Sequence, residues 1–240
     1  MTKRRITEQE QRYYDELSQL TASCPPDYVA EAPFLFANRI QVTQLLSRIE
    51  LFKMVMDVPG AIVECGVYRG NALMLYLHLS IALEPYAINR SLFGFDTFEG
   101  FRSIDAAADP NDVDETTFSK TNAAVLRRAI EINDLVRPVN RIPRCEIVQG
   151  DIVETVPAFV ASRPELCVAM LVLDTDLYQP TKTALEHFLP RMPRGGVVVL
   201  DEACYRNFPG ETQALREVLD LNRVELKRLP FDTCTAYFRL

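Results

Sequence analysis

The chain has no tryptophan, only two histidines and no excess of basic over acidic residues. Without tryptophan, any aromatic contact to a ligand rests on phenylalanine and tyrosine. His78 and His187 fall inside helical patterns, remote in sequence from the acidic motifs below, and are read as structural or surface residues rather than catalytic ones. With 26 Lys and Arg against 33 Asp and Glu, the net charge is −7. That balance argues against nucleic acid or an anionic membrane as a main partner, because both need a basic face. The six cysteines, Cys24, Cys65, Cys145, Cys167, Cys204 and Cys234, include no CxxC pair. Neither a disulfide framework nor a zinc site is therefore expected. No run is apolar for long enough to span a bilayer, and Met1 to Glu8 lack the apolar core of a signal peptide. The expected location is cytoplasmic. Two ligand fingerprints are also missing, the GxGxxG of a dinucleotide site and the GK[ST] of a phosphate loop, which disfavours NAD and ATP chemistry.

What is present is the pattern of a globular α/β protein. Hydrophobic residues make up 48% and charged residues 25% of the chain, enough for a sizeable core. Five short apolar runs rich in β-branched residues read as buried parallel strands: Ala61–Cys65, Leu92–Asp96, Cys145–Gln149, Cys167–Leu173 and Val197–Leu200. Helical spacing separates them, over Asn71–Leu83 with Asn71 as a cap, near Val156–Ala161, over Thr181–Leu189 and over Glu211–Asp220. Val224–Leu229 and Thr235–Leu240 read as a closing antiparallel pair. Upstream, helices are predicted at about residues 7–20 and over Ile40–Met56. The expected architecture is a doubly wound, seven-stranded Rossmann-like sheet at 59–240 with an N-terminal helical extension at 1–58. The stretch from Phe101 to Phe118, acidic and poor in apolar residues, is predicted to be a mobile surface loop or lid.

Chemistry concentrates where strands end. Asp174-Thr175-Asp176 closes the fourth run and Asp201-Glu202 closes the fifth. Parallel strands joined by a helix open their carboxyl ends on one edge of the sheet, where such sheets bind ligands. Four carboxylates converging there repel one another unless they share a hard cation such as Mg²⁺, Ca²⁺ or Mn²⁺. Three turns on the same edge suit a nucleoside. Glu64-Cys65-Gly66-Val67-Tyr68-Arg69-Gly70 brings backbone and a helix N-terminus close to a ligand. Asp96 can accept the hydroxyls of a ribose, and Gly150-Asp151 can meet an adenine amino group. For Asp96 or Asp151 taken singly, a helix cap is the competing reading. A single nucleoside, a metal at the sheet edge and a terminal strand pair point to methyl transfer from S-adenosylmethionine.

The chain resembles the macrocin O-methyltransferase family, the TylF/MycF-like sugar O-methyltransferases of natural-product pathways. The resemblance is carried by Val63–Gly70, Gly94-Phe95-Asp96-Thr97-Phe98-Glu99-Gly100-Phe101, Leu173-Asp174-Thr175-Asp176-Leu177-Tyr178-Gln179-Pro180-Thr181, and Gly195-Gly196 through Asp201-Glu202. It covers roughly Ile40 to Leu219. Where the family often has paired aspartates after the fifth strand, this chain has Asp201-Glu202, one methylene longer. The resemblance implies Glu64, Gly66 and Gly70 at the methionine end of the cofactor, Asp96 at its ribose and Asp151 near adenine. Val67, Tyr68, Thr97, Gly150 and Asp174 complete the implied cofactor contacts. It also implies Mg²⁺ on Asp174, Asp201 and Glu202, Asp176 as general base, and a small-molecule sugar acceptor.

Methyl transfer from a sulfonium is an in-line displacement, so the main tasks are alignment and the removal of a proton from a weakly acidic hydroxyl. Coordination to a divalent ion lowers the pKa of a bound oxygen by several units, as for water brought from about 15.7 to about 7. Two rival readings remain open. One is a metal-dependent methyltransferase of catechols or phenols, the other a non-catalytic binding module that keeps only the cofactor fold. A homo-oligomer is expected, with the apolar helix Ile40–Met56 and the N-terminal extension as contact surfaces.

Overall fold

The computed structural model describes residues 7–232 and 234–240. Met1–Ile6, the start of the expected extension, lie outside the described residues. The chain divides into two compact units, one ending at Leu46 and the other spanning Ser47–Leu240.

The first unit is helical. Helix α1 (Glu8–Ser23) starts at a capping box. The Glu10 N–H donates to the Thr7 hydroxyl at 3.1 Å, and the Thr7 N–H donates to the Glu10 carboxylate at 2.9 Å. Two of the donors that a helix start leaves unpaired are thereby satisfied. Helix α2 (Pro26–Glu31) opens on a proline, which needs no partner for a missing N–H at that position. Helix α3 (Arg39–Lys53) begins in this unit and runs into the second.

The second unit is built on seven strands: β1 (Ala61–Cys65), β2 (Leu92–Asp96), β3 (Cys145–Gln149), β4 (Val168–Leu173), β5 (Val197–Leu200), β6 (Lys227–Arg228) and β7 (Ala236–Arg239). Their order in the sheet is β3-β2-β1-β4-β5-β7-β6. Strands β1 to β5 pair in parallel, and β7 runs antiparallel between β5 and β6. The expected strand pair is therefore present, but its outer member is only two residues long. Helices α4 (Asn71–Leu83), α5 (Ala123–Asp134), α6 (Ile152–Ser162), α7 (Tyr178–Phe188) and α8 (Gly210–Val218) complete the unit.

Alternation along β1 sorts side chains onto two apolar layers. Ala61, Val63 and Cys65 face the layer that holds Val156 and Phe159 of α6, Leu185 and Phe188 of α7, and Leu215 of α8. Ile62 faces the opposite layer with Leu51 and Phe52 of α3, Leu73 and Leu77 of α4, and Leu126 and Ile130 of α5. Glu64 shares the parity of Ile62, so a carboxylate is carried into that second layer, 1% exposed. Both layers fit strands whose faces are both covered, which is why β1, β4 and β5 read as continuous apolar runs.

Four local differences from the sequence reading have simple causes. Gly70, with φ 83°, caps α4, so Asn71 is already helical; the left-handed geometry there favours glycine over any capping side chain. Helix α5 lies in a stretch for which no element was predicted. It starts at Asn122, whose side chain accepts the N–H groups of Ala124 and Val125. Helix α7 begins at Tyr178 rather than Thr181, because Pro180 falls in its first turn, where a proline is tolerated. The Phe101–Phe118 stretch forms no helix or strand, yet it has an anchor. Asp109, 7% exposed, accepts the Tyr178 N–H at 2.7 Å and the Asp105 N–H at 2.7 Å. Among the described residues no helix is long and apolar enough to cross a membrane.

Behind the sheet edge opposite the acidic turns, Arg90 ties three segments together. Its guanidinium forms two 3.0 Å hydrogen bonds to the Glu84 carboxylate and donates to the carbonyls of Gly60 at 2.6 Å and Val55 at 2.9 Å. Arg90 and Glu84 side chains are 5% and 10% exposed. Removing one partner of a buried pair strands the other without solvent. Arg90→Met is expected to lower unfolding free energy by about 3–5 kcal/mol in chemical denaturation. A loss below about 1 kcal/mol, the range of a surface pair, would show that water replaces the guanidinium there.

Candidate active site

The site forms where the central strands stop. Gly66 follows β1 with φ 90°, and its N–H donates to the Phe95 carbonyl at 2.9 Å. From the other side, the Asp174 N–H donates to the Cys65 carbonyl at 2.9 Å. The two turns are pressed together so closely that a Cβ at Gly66 would lie 1.8 Å from the Asp174 carbonyl oxygen. Only glycine fits this crossing.

Asp96 joins the β1 and β2 turns. One of its carboxylate oxygens accepts the Tyr68 N–H at 2.7 Å and the other accepts the Phe98 N–H at 2.6 Å. Burial raises its pKa, and these backbone donors oppose the rise. Asp151 combines both roles weighed for it. It caps α6 by accepting the Val153 N–H at 2.9 Å, and it also lines the cleft, where it accepts the Ser103 hydroxyl at 2.6 Å. Gly66, Tyr68, Asp96, Thr97, Asp151 and Asp174 line one continuous cleft. Phe101 and Phe118 close part of it, their rings edge to face at 5.4 Å. Val67 packs in the core, Gly70 lies against Leu126, and Gly150 turns with φ 141°. Glu64 is buried, and its Oε2 has no hydrogen-bond partner.

The second half of the site is a group of carboxyls withdrawn from water. Strands β4 and β5 end in register, Leu173 opposite Leu200, and the Asp201 N–H donates to the Leu173 carbonyl at 2.9 Å. Asp174 and Asp201 are thus neighbours on one edge. Asp176 adopts a left-handed φ of 61° at 9% exposure, a strained conformation of the kind that gathers at functional sites. Burial first, then Asp201, Asp176, Glu211 and Glu64, holds Asp174 well above the usual carboxylate range. Burial and the facing Glu202 do the same to Asp176. Glu202 is pushed up to about 7 by burial, Glu211 and Asp201. Arg48 of α3 works against burial at Asp201 and at Glu64, where the net result is still a rise to about 8.

Glu211, read in the sequence only as a helix start in the turn after the fifth strand, holds this group together. It is fully buried in the first turn of α8. One oxygen accepts the N–H groups of Thr175 at 3.2 Å and Asp176 at 3.4 Å, while the other accepts the Glu202 N–H at 3.2 Å. A single carboxylate therefore clamps both acidic turns. In sequence it looks like any acid placed in a first turn to suit the helix dipole, so no signal marked it.

The implied metal ligands Asp174, Asp201 and Glu202 are brought to one edge. Among the described residues, however, no three or more His, Cys, Asp or Glu side chains already surround a common metal position. Their chemistry nevertheless fits a hard divalent cation. All offer oxygen, Asp201 lies close enough to raise the pKa of both Asp174 and Glu202, and Glu202 Oε2 is buried without a hydrogen-bond partner.

The known proteins that this chain is similar to are O-methyltransferases. The family model described as macrocin-O-methyltransferase (TylF) matches residues 36–240. Mycinamicin III 3''-O-methyltransferase of Micromonospora griseorubida is 26% identical over 194 residues, covering 76% of this chain and 69% of that protein. A tetracenomycin rhamnosyl 4'-O-methyltransferase of Streptomyces olivaceus is 30% identical over 149 residues, covering 60% and 53%. The crystal structure of CalS11, a calicheamicin methyltransferase, superposes with a TM-score of 0.90 at 33% identity, over 98% of this chain and 93% of that one. Its apo form, named as a TDP-rhamnose 3'-O-methyltransferase, gives 0.84 at 32% over 98% and 95%.

The raised carboxyls set the sign of a pH effect. Their unfolded values lie near 4, and their folded values are higher, about 7 for Glu202 and about 8 for Glu64 and Glu211. Stability is then fully present below the unfolded values and is lost as pH rises through the folded ones. In EDTA, the thermal midpoint is expected to be higher at about pH 5.5 than at about pH 8.5, with Mg²⁺ restoring more at the upper end. Glu211→Gln should narrow the gap. A midpoint that climbs steadily over this range would contradict the arrangement of charges described.

Proposed function

Because the chain belongs to the macrocin-O-methyltransferase (TylF) family and is therefore an S-adenosylmethionine-dependent O-methyltransferase, we propose that it methylates a hydroxyl of a deoxysugar in antibiotic biosynthesis. The observation that carries this reading is the pair of acid-bearing turns, clamped by Glu211, beside a cleft walled by Asp96 and Asp151. The named substrates of the relatives support the sugar. Full-length likeness to CalS11, whose apo form is named for a TDP-sugar, favours a nucleotide-activated deoxysugar over one already attached to an aglycone.

In this reading Asp96 receives the ribose hydroxyls on the lone pairs that its two backbone donors leave free. Glu64, buried with an unpartnered oxygen, receives the methionine ammonium, which relieves the penalty that lifts its pKa to about 8. Asp174, Asp201 and Glu202 would hold a divalent cation. The bound groups would supply an electrophilic methyl and a cation that makes the acceptor hydroxyl a stronger acid. Asp176 takes the proton of that hydroxyl. Burial and the facing Glu202 raise its pKa, which makes its carboxylate a stronger base than an exposed aspartate. Glu211 keeps Asp176 and Glu202 at fixed separation by holding both their N–H groups, and alignment of the reacting atoms depends on that rigidity. A phenolic acceptor would draw on the same acids but needs less help to lose its proton. Comparing turnover on a TDP-deoxysugar and on a catechol separates the two. The reaction is proposed to run in the cytoplasm, in a homo-oligomer.

Asp176→Asn should reduce kcat on a TDP-deoxysugar by about 10²- to 10⁴-fold, the usual contribution of a general base. Its affinity for S-adenosylhomocysteine, measured by calorimetry, should stay within about twofold of wild type. Asp174→Asn should abolish the response of turnover to EDTA and Mg²⁺. Full turnover by the Asp176→Asn protein would remove Asp176 from the role of base.

A further inference from the structure

A second cleft lies beside α8, on the segment that carries the acids of β5 onward. Cys204, Tyr205, Arg206 and Pro209 form one wall, and Thr212, Gln213, Arg216 and Glu217 form the other. Thr212 and Arg216, and Gln213 and Glu217, are four residues apart, and Gln213 and Arg216 three apart, so they lie on adjoining stripes of the helix surface. The loop is drawn against that face by the Cys204 N–H, which donates to the Thr212 hydroxyl at 2.8 Å.

The charges in this cleft do not cancel. Glu217 is already engaged, because its Oε2 accepts Lys182 Nζ at 2.8 Å and also the Tyr178 hydroxyl. Arg206 and Arg216 are both exposed, and no hydrogen bond or ion pair joins either guanidinium to another described residue. With Glu217 matched by Lys182, the cleft presents two positive charges in a chain whose net charge is −7. Paired arginines offer planar forks of donors matched to phosphate oxygens. Thr212 and Gln213 add neutral hydrogen-bonding groups. Tyr205 stacks on Phe208, rings 6.4 Å apart and 18° from parallel, a flat aromatic surface of the kind that receives a base.

Chain connectivity sets this cleft next to the acidic turn of β5. Glu202 stands two residues before Cys204, and Glu211, which holds the Glu202 N–H, stands directly before Thr212. We infer that the Arg206–Arg216 cleft binds the diphosphate of a nucleoside-diphosphate sugar whose sugar hydroxyl lies at the acidic turns. This rests on the proposed reading of those turns as the acceptor site. It adds the residues that recognise the carrier and separate a nucleotide-bound sugar from one attached to an aglycone.

Calorimetric titration of thymidine diphosphate into the full chain tests this, with Arg206→Gln, Arg216→Gln and the double variant alongside. S-adenosylhomocysteine is titrated into each protein in parallel. Thymidine diphosphate should bind the wild type, lose about tenfold in affinity with each single change and about a hundredfold with both, as expected for charge-assisted hydrogen bonds. Affinity should also fall with added salt in the wild type and much less in the double variant. Binding of S-adenosylhomocysteine should be unchanged throughout, which reports that the variants are folded. Wild-type affinity for thymidine diphosphate in the double variant, or none in the wild type, would overturn the assignment of the cleft while leaving the methyltransferase reading intact. Failure of S-adenosylhomocysteine to bind the wild type would instead overturn the reading on which the assignment rests.

Discussion

Carboxyl groups forced together out of water, at the edge where β1, β4 and β5 end, are the constraint around which this site is organised. Desolvation disfavours every one of them in ionised form, and proximity disfavours them again. Asp174, Asp176, Glu202, Glu211 and Glu64 all sit above their ordinary range for those two reasons. A fold keeps such a group only if the surrounding structure over-determines it. Here the fixing elements are apolar strands buried on both faces, a glycine crossing with no room for a side chain, and a glutamate that accepts backbone donors from two turns at once.

Opposite charge enters sparingly. Among the described residues, Arg48 is the cation that acts on Glu64, Asp201 and Asp174, and one guanidinium does not neutralise the group. The remaining imbalance is what makes a divalent cation chemically apt at this edge. A carboxyl whose pKa is raised by its surroundings reaches the range in which histidine ordinarily works. Elsewhere the molecule pairs its buried charges closely, as Arg90 with Glu84 shows. The contrast between a satisfied pair there and unsatisfied oxygens on Glu64 and Glu202 marks where ligands belong.

Much of this was legible in the sequence, because strand ends are. Five apolar runs located β1 to β5 to within a residue, and parallel topology then dictates that Asp96, Asp151, Asp174 and Asp201 meet on one edge. The nearness of Asp174 to Asp201 followed from the end of each run without any structural information. Glu211 was not legible, since its role depends on a turn some thirty-six residues earlier in the chain and its local context is that of an ordinary helix start. Asp109 was hidden for the same reason, reaching Tyr178 across sixty-nine residues. A stretch that looked loose from its composition gained an anchor from that one contact. Helix α5 was legible as well, because Ala123, Leu126 and Ile130 recur at helical spacing and form its buried face, a pattern obscured only by the irregular chain on either side. Arg206 and Arg216 looked like solvated surface charge, and only the fold of the loop onto α8 puts them in one cleft.

The proposed divalent-cation site joins the acidic turns of β4 and β5. Electron paramagnetic resonance of free Mn²⁺, titrated with the purified chain and with its Asp201→Asn variant, tests it most directly. The free-ion signal is expected to disappear at about one Mn²⁺ per chain, with Mg²⁺ competing and with the variant binding far more weakly. A free-ion signal untouched by the wild-type chain, or equally depleted by the variant, would contradict it.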